Sequence, residues 1–142
     1  MSENNEQPVP QGKYKPAVRN KDLIYTSGMT PRKSGKLMYE GKIRASDSIE
    51  SHRDAVRLAC LNALIAAQSL LEEGESISMI LQLHVYMNAD PDFTAHAKMA
   101  NYASELLMEE LGSGSMGSRA AIGVASLPSD APVEISLIAK VT

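Results

Sequence analysis

The sequence has no tryptophan, one phenylalanine and one cysteine in 142 residues. A single cysteine excludes an intrachain disulfide, and Cys60 lies in the apolar stretch "RLACLNALIAA", so we interpret it as a small buried residue. No run approaches the roughly 20 apolar residues of a membrane-spanning helix. The polar N-terminus "MSENNEQPVPQG" also lacks the apolar region of a secretory signal. We therefore expect a cytoplasmic protein that makes no membrane contact.

Charge is unevenly distributed along the chain. Residues 13–44 hold nine Lys and Arg against two acidic residues, a local charge of +7, whereas the whole chain has a net charge of −3. A basic segment of this kind attracts anions. The aromatic side chains that stack on bases in many RNA-binding proteins do not interleave with it, and Phe93 is the only phenylalanine. We therefore interpret the segment as a solvated basic face and do not expect a nucleic acid partner.

The sequence contains no recognisable cofactor or metal motif. Its three histidines, His52, His84 and His96, have neither zinc-site spacing nor a cysteine partner. The stretch "GSGSMGSR" at 112–119 has glycines at G-x-G-x-x-G spacing, but it follows a predicted helix and precedes a strand. A phosphate-binding loop needs the opposite order, with a helix opening at the glycines. We therefore interpret the stretch as a flexible connection that ends in Arg119. It is either a lid over a binding site or a plain surface loop.

Hydrophobic periodicity predicts one α+β domain over residues 13–142, preceded by a disordered tail at 1–12. Two helices should pack on one face of a mixed sheet, in the order β-β-β-α-β-α-β-β. The last strands look apolar on both faces, which indicates that self-association covers the second face. The predicted elements are strands at 22–28 and 36–43, a helix at 48–73 between Asp47 and Gly74, a strand at 77–88, a helix from Asp90 and Pro91 to Gly112, and strands at 119–127 and 132–141.

Two charged residues in these last strands are candidates for chemistry. Arg119 starts a strand of small and apolar residues, where a guanidinium needs an anionic partner from the protein or from a ligand. Glu134 interrupts the apolar strand "PVEISLIAKV", where burial can raise a carboxyl pKa and suit it to acid–base work, although it can equally be an exposed glutamate. If the two strands form a simple hairpin, Arg119 and Glu134 share a face about 20 Å apart. A small ligand could then touch both only through a different strand pairing or a site between subunits.

The residues "YTSGMTP", "YMNADPDF" and "SRAAIGVASLPSDAPVEISLIAKV" resemble the Rid family, that is the YjgF-type reactive intermediate deaminases, also known as endoribonuclease L-PSP proteins. The resemblance covers roughly residues 12–141. It implies a chorismate-mutase-like α+β fold and a homotrimer with clefts between subunits. It also implies cofactor-free hydrolysis of 2-imino acids or enamines to 2-keto acids and ammonia.

The resemblance also implies roles for individual residues. Arg119 would hold the carboxylate of a small substrate, and Glu134 would orient or activate the attacking water. The chain departs from the family pattern at three places: Met29 follows the Ser-Gly pair where the family has glutamine, Ala121 stands where the family often has cysteine, and Met-Gly-Ser precedes Arg119 where the family usually has Pro-Ala. Two alternatives are a trimeric sensor that binds a small carboxylate without catalysis, and a ribonuclease. The residues implied to bind substrate are Tyr14, Ser27, Gly28, Asn101 and Ala121.

Overall fold

The structure is a computed structural model that describes residues 6–142. Residues 1–5 of the predicted tail lie outside the described residues. Two helices and seven strands follow, and their bounds are β1 Ala17–Asn20, β2 Leu23–Thr26, β3 Arg32–Lys33, β4 Lys36–Leu37, α1 Arg53–Gln68, β5 Ile77–Asn88, α2 His96–Leu111, β6 Met116–Val124 and β7 Val133–Val141.

Five of the strands form one sheet in the order β1-β2-β7-β5-β6, and β3 and β4 form a separate two-stranded ribbon. β5 and β6 run parallel, and the other neighbours in the large sheet are antiparallel. α1 and α2 pack against each other and against this sheet, which confirms the predicted α+β architecture. Alternation in β7 explains the packing, because Val133, Ile135, Leu137, Ala139 and Val141 are all buried.

β5 spans the predicted residues, but near its start the side chains that point toward the core are not the predicted ones. Strict alternation predicts that Met79 and Leu81 point inward together with Leu83. The structure buries Ile80 and leaves Met79 and Leu81 partly exposed. The register between β5 and β7 shifts on both sides of Ile80, so the alternation changes phase there. Beyond Gln82 the alternation is regular, and this part of β5 carries the neighbours of Arg119 and Glu134.

The predicted start of the second helix was wrong. Asp90 and Pro91 do not open it; they lie in a turn, and α2 begins at His96. The Asp90 carboxylate is engaged elsewhere, because it accepts hydrogen bonds from the Arg44 guanidinium and from the Ala45 backbone N–H. The predicted end of α2 at Gly112 is confirmed, and its φ of 106° is one that glycine adopts readily.

The first helix is shorter than predicted. A 3-10 turn at Ile49–His52 precedes it, and the side chain of Ser48 caps this turn by accepting from the Ser51 N–H. α1 ends at Gln68, and Gly74 lies in a separate turn beyond it with φ 84°. Cys60 lies buried in the middle of α1, as predicted, and burial raises the pKa of its thiol. Over residues 6–142 the structure contains no helix long and apolar enough to cross a bilayer.

The hairpin between the last two strands was a wrong assumption, because β5 lies between β6 and β7. Arg119 stands opposite Leu83 on β5, and Glu134 stands opposite Tyr86 on the other side of β5. The two residues are therefore two strands and three residues apart, about 10 Å across the sheet and about 10 Å along it. Because successive side chains of a strand alternate between the two faces of the sheet, an offset of three residues places Arg119 and Glu134 on opposite faces. Arg119 faces the helices, and Glu134 faces away from them.

Residues 6–142 leave the sheet face opposite the helices partly exposed. The large apolar side chains Val18, Tyr25 and Ile122 are 50%, 38% and 44% exposed. Side chains of the central strands on the same face, such as His84 and Tyr86, are half-buried beside them. β6 also forms the edge of the sheet, so one side of its backbone has no partner strand among the described residues.

Candidate functional site

Three hydrogen bonds hold Arg119 on the helix side of β6. One terminal nitrogen of its guanidinium donates to Asn101 Oδ1 at 2.8 Å and to Ser104 Oγ at 3.0 Å, and the other donates to the Ala97 carbonyl at 3.3 Å. These acceptors lie on one side of α2 at helical spacing, and all three are neutral. In residues 6–142 no carboxylate lies within ion-pair distance of Arg119. The half-buried cation is oriented by the protein and retains the capacity to bind an anion.

Replacement of Asn101 by alanine tests whether α2 orients this cation. The Asn101→Ala variant loses one acceptor of the Arg119 guanidinium, so we expect weaker binding of a carboxylate ligand, by roughly threefold to tenfold. The measurement is the affinity for a 2-keto acid. Asn20, an exposed asparagine on β1, supplies the control variant Asn20→Ala. Equal affinities in the two variants would show that Asn101 does not position Arg119.

Only the first half of the stretch 112–119 connects α2 to β6, and the second half already belongs to β6. Its first half forms a turn in which Ser115 is buried and its hydroxyl donates to the Gly112 carbonyl at 2.7 Å. Its second half is already strand, since β6 begins at Met116. Gly117 is required there, because a Cβ would lie 2.4 Å from the Ile80 carbonyl oxygen. The glycines therefore permit close strand pairing and a helix end, and they bring Arg119 to its place opposite Leu83.

Glu134 presents a half-buried carboxylate near the start of β7. Burial raises the pKa of this carboxyl above its ordinary value of 4.5. Within the described part of the chain it forms no ion pair, so no cation counteracts the effect of burial. Its side chain packs directly on Gly28. A carboxyl in this environment can hold or release a proton at a pH closer to neutrality than an exposed glutamate can.

Gly28 is the residue that makes room for this carboxylate. A Cβ placed on Gly28 would lie 2.1 Å from Glu134 Oε2 and 2.7 Å from its Cδ. The Gly28→Ala variant must therefore displace the carboxylate, and we expect a tenfold or larger loss of any activity that uses Glu134. The measurement is kcat/KM. Gly114→Ala is the matched control, because nothing lies within 4 Å of that position. Similar activities in both variants would argue against a role for the Gly28–Glu134 contact.

Gly28 and Glu134 open into a cavity of about 450 Å³. Tyr14 contributes to its wall, and its hydroxyl accepts a hydrogen bond from the Gln11 N–H at 3.1 Å. Residues 6–11, part of the predicted tail, also line the cavity. Ser27 is not in this wall; its hydroxyl donates to the Lys15 carbonyl at 2.6 Å and ties the Tyr14 segment to the end of β2.

The predicted site residues thus fall into two groups. Arg119 and Asn101 lie together beside α2, with Ala121 two residues further along the same side of β6; we call these the arginine group. Tyr14, Gly28 and Glu134 line the cavity, and we call them the glutamate group. One chain does not bring the groups together, since β5 separates Arg119 from Glu134 and their side chains leave the sheet on opposite faces.

Sequence reasoning missed two contributors to these groups. Ser104 binds Arg119 alongside Asn101, and a polar residue three positions after Asn101 on the same helix was the available signal. Arg32 lines the cavity, with hydrogen bonds to Thr30 Oγ1, the Gly35 carbonyl and Ser129 Oγ. It was grouped with the basic segment, and its place at the cavity follows from the short ribbon of β3 and β4.

The chain is similar in sequence and in fold to proteins that are already known. The sequence model of the Endoribonuclease L-PSP family matches residues 4–141. The chain belongs to this family, which includes the YjgF-type proteins. The curated relative Protein TCP17 of Trypanosoma cruzi is 29% identical over 121 residues, which are 82% of this chain and 74% of TCP17.

Solved structures of two family members have the same fold. A putative endoribonuclease from Shewanella oneidensis MR-1 has a TM-score of 0.86 and 29% identity, with 97% of this chain and 91% of that chain covered. TdcF of E. coli, solved with bound serine, has a TM-score of 0.69 and 22% identity, with 97% of this chain and 95% of TdcF covered. The family resemblance seen in the sequence is confirmed, and so is the fold that it implies.

Proposed function

We propose that this protein hydrolyses 2-imino acids, or their enamine tautomers, to 2-keto acids and ammonia in a cleft between two copies of the chain. The observation that supports the proposal is that one chain holds the two charged residues of the site apart, each without a partner of opposite charge in residues 6–142. Arg119 is an oriented cation without an anionic partner in residues 6–142, and Glu134 is a half-buried carboxylate without a cationic partner there. A small substrate with a carboxylate and a C=N bond needs both groups within a few ångströms.

A homotrimer would supply this proximity. In a ring of three copies, each β6 edge faces a neighbour, so the arginine group of one copy can meet the glutamate group of the next. Such a ring also buries the open sheet face with its exposed Val18, Tyr25 and Ile122. The same assembly therefore accounts for an uncovered apolar face and for two incomplete half-sites.

The two groups divide the chemistry between them. The Arg119 guanidinium holds the substrate carboxylate through two parallel hydrogen bonds and so orients the C=N carbon. Glu134 accepts a proton from water as the water oxygen bonds to that carbon, the C=N π electrons move to nitrogen, and the nitrogen takes one proton from solvent, which gives a carbinolamine. Glu134 then gives its proton to the nitrogen, the C–N bond breaks with its electron pair going to nitrogen, and the hydroxyl releases its proton to solvent as the ketone forms. One water is consumed and one ammonia leaves, so the atoms balance without a redox partner.

The serine bound to TdcF suggests the chemical class of the ligand. Serine is a 2-amino acid, and a 2-imino acid is the corresponding molecule with a C=N bond at the same carbon. A ligand of this kind presents one carboxylate to Arg119. Serine is therefore a suitable non-reacting probe for the arginine group.

The direct test is ammonia release from a freshly generated 2-imino acid, with mass measurement in solution to determine the oligomer. We expect a trimer that accelerates the hydrolysis well beyond the rate in buffer. A chain that stays monomeric, or a rate equal to that in buffer, would contradict the proposal.

A second candidate is a trimer that binds small carboxylates without hydrolysing an imine. It is favoured by Ala121, which gives the arginine group a methyl where the family often has a thiol, and by Met29 next to Gly28. This candidate predicts binding of 2-keto acids that requires Arg119, no ammonia release, and no dependence on Glu134. The family is named for endoribonuclease activity. If this chain is a ribonuclease, it should cleave an RNA substrate at a rate that falls when Arg119 is replaced.

A further inference from the structure

The cavity beside Glu134 is larger than a small imino acid requires. Its volume of about 450 Å³ falls within the range of pockets that hold drug-sized ligands, roughly 300–1,000 Å³. A 2-imino acid with a methyl side chain would leave most of this space to water. The residues around the space therefore bear on which side chain the substrate carries.

Apolar atoms form more than half of the exposed wall of the cavity. α1 contributes Leu58 and Leu61, which are only half-buried and so present apolar surface to the space. The segment before β1 contributes Val9, which is 56% exposed, between two prolines. Met29 continues this wall next to Gly28. Apolar carbon placed against such a wall leaves water with a gain in free energy.

The charged residues of the wall balance one another, because Glu6 and Glu134 are acidic and Arg32 and the exposed Lys33 are basic. Such a wall has no net charge that would favour a charged side chain. Arg32 lines it too, but its guanidinium already donates to Thr30 Oγ1, the Gly35 carbonyl and Ser129 Oγ at 3.0–3.2 Å. These bonds join the β3–β4 ribbon to the turn before β7, and they account for Arg32 without a ligand.

We propose that the substrate is a 2-imino acid with a large apolar side chain, branched or aromatic, and that Leu58, Leu61, Val9 and Met29 bind this side chain. The proposal rests on the proposed function, because it places the imine carbon at Glu134. From there the side chain enters the cavity, while the carboxylate reaches the arginine group of the neighbouring copy.

The experiment compares substrates that differ only in the side chain. Imino acids are generated by an amino-acid oxidase from alanine, leucine, phenylalanine and glutamate, and the full-length protein is assayed for ammonia release. We expect kcat/KM for the leucine- and phenylalanine-derived imines to exceed that for the alanine-derived imine by about tenfold or more. A preference for the alanine-derived imine would overturn the proposal. A preference for the glutamate-derived imine would also overturn it, and would indicate that Arg32 or Lys33 binds an acidic side chain.

A variant that fills the cavity tests its role directly. Leu61→Trp should reduce the ratio of leucine-derived to alanine-derived turnover severalfold, because the indole occupies space that the substrate side chain needs. Met38→Trp is the matched control: Met38 is 48% exposed and is not part of the cavity wall. An unchanged ratio in Leu61→Trp would count against the proposal.

A binding measurement separates this proposal from the proposed function. If no imine is hydrolysed faster than in buffer, the deaminase proposal fails, whereas the affinities for 2-keto acids still report on the cavity. We expect 4-methyl-2-oxopentanoate to bind about tenfold more tightly than pyruvate by ligand-observed NMR. Equal affinities, or tighter binding of pyruvate or 2-oxoglutarate, would refute the apolar assignment whatever the catalytic result.

Discussion

Replacement of Arg119 by alanine is expected to lower kcat/KM for a 2-imino acid by roughly 10²- to 10³-fold. The guanidinium is the proposed anchor of the substrate carboxylate, and two hydrogen bonds between charged groups are together worth about 3–5 kcal/mol. Arg119→Lys should recover only part of this loss. An ammonium group cannot hold Asn101 and Ser104 and still present two parallel donors to a carboxylate.

The Arg119 experiment has a matched control in Arg44. That arginine is also on the surface and forms an ion pair with Asp90, but its side chain is 59% exposed and it belongs to neither group of the site. Arg44→Ala removes a pair worth at most about 1 kcal/mol of stability and should leave kcat/KM unchanged. Binding of pyruvate and of serine should be lost in Arg119→Ala and kept in Arg44→Ala. Full activity in Arg119→Ala would contradict the assignment of the carboxylate anchor.

Much of the fold could be predicted because the strongest patterns are local. The alternation in β7 and the apolar face around Cys60 in α1 are set by burial on one side of a regular element, so the sequence displays them directly. The end of α2 at Gly112 is equally local. The start of α2 was wrong because Asp90 binds Arg44 and Ala45, residues about 45 positions earlier in the chain, and a local capping rule contains no information about such partners.

The candidate site was predicted in its residues but not in its geometry. Arg119 and Glu134 stand out as charges in apolar strands, which a sequence shows. Their placement on opposite faces depends on β5 entering between β6 and β7, a long-range pairing that adjacent strands in sequence do not reveal. The cavity was missed for the same reason. It is formed by the segment before β1, the side of α1 and the start of β7, which are distant in sequence.

Replacement of Glu134 by glutamine should separate catalysis from binding. The amide has nearly the same shape but cannot accept a proton from water, so we expect kcat to fall by roughly 10²- to 10⁴-fold. The affinity for pyruvate should change little, because Arg119 remains in place. Glu110→Gln, an exposed glutamate near the end of α2, is the control and should have normal activity.

The pH dependence provides the second readout for Glu134. Burial raises the pKa of this carboxyl above 4.5, and the proposed base must be ionised, so wild-type kcat/KM should fall as the pH is lowered toward that raised pKa. The fall should centre above pH 4.5 and be absent from the residual activity of Glu134→Gln.

The stability that Glu134 contributes to the fold should decrease as the pH rises, whereas the activity should increase. A raised pKa in the folded state means that folding favours the protonated carboxyl, so the stability that this group contributes is present at low pH and is lost as pH rises through the folded pKa. A neutral amide avoids this loss, and at pH 7 Glu134→Gln should unfold at a temperature no lower than the wild type does. A large drop in its unfolding temperature would attribute the loss of activity to misfolding. Undiminished ammonia release by a folded Glu134→Gln variant would instead assign the activation of water to another group.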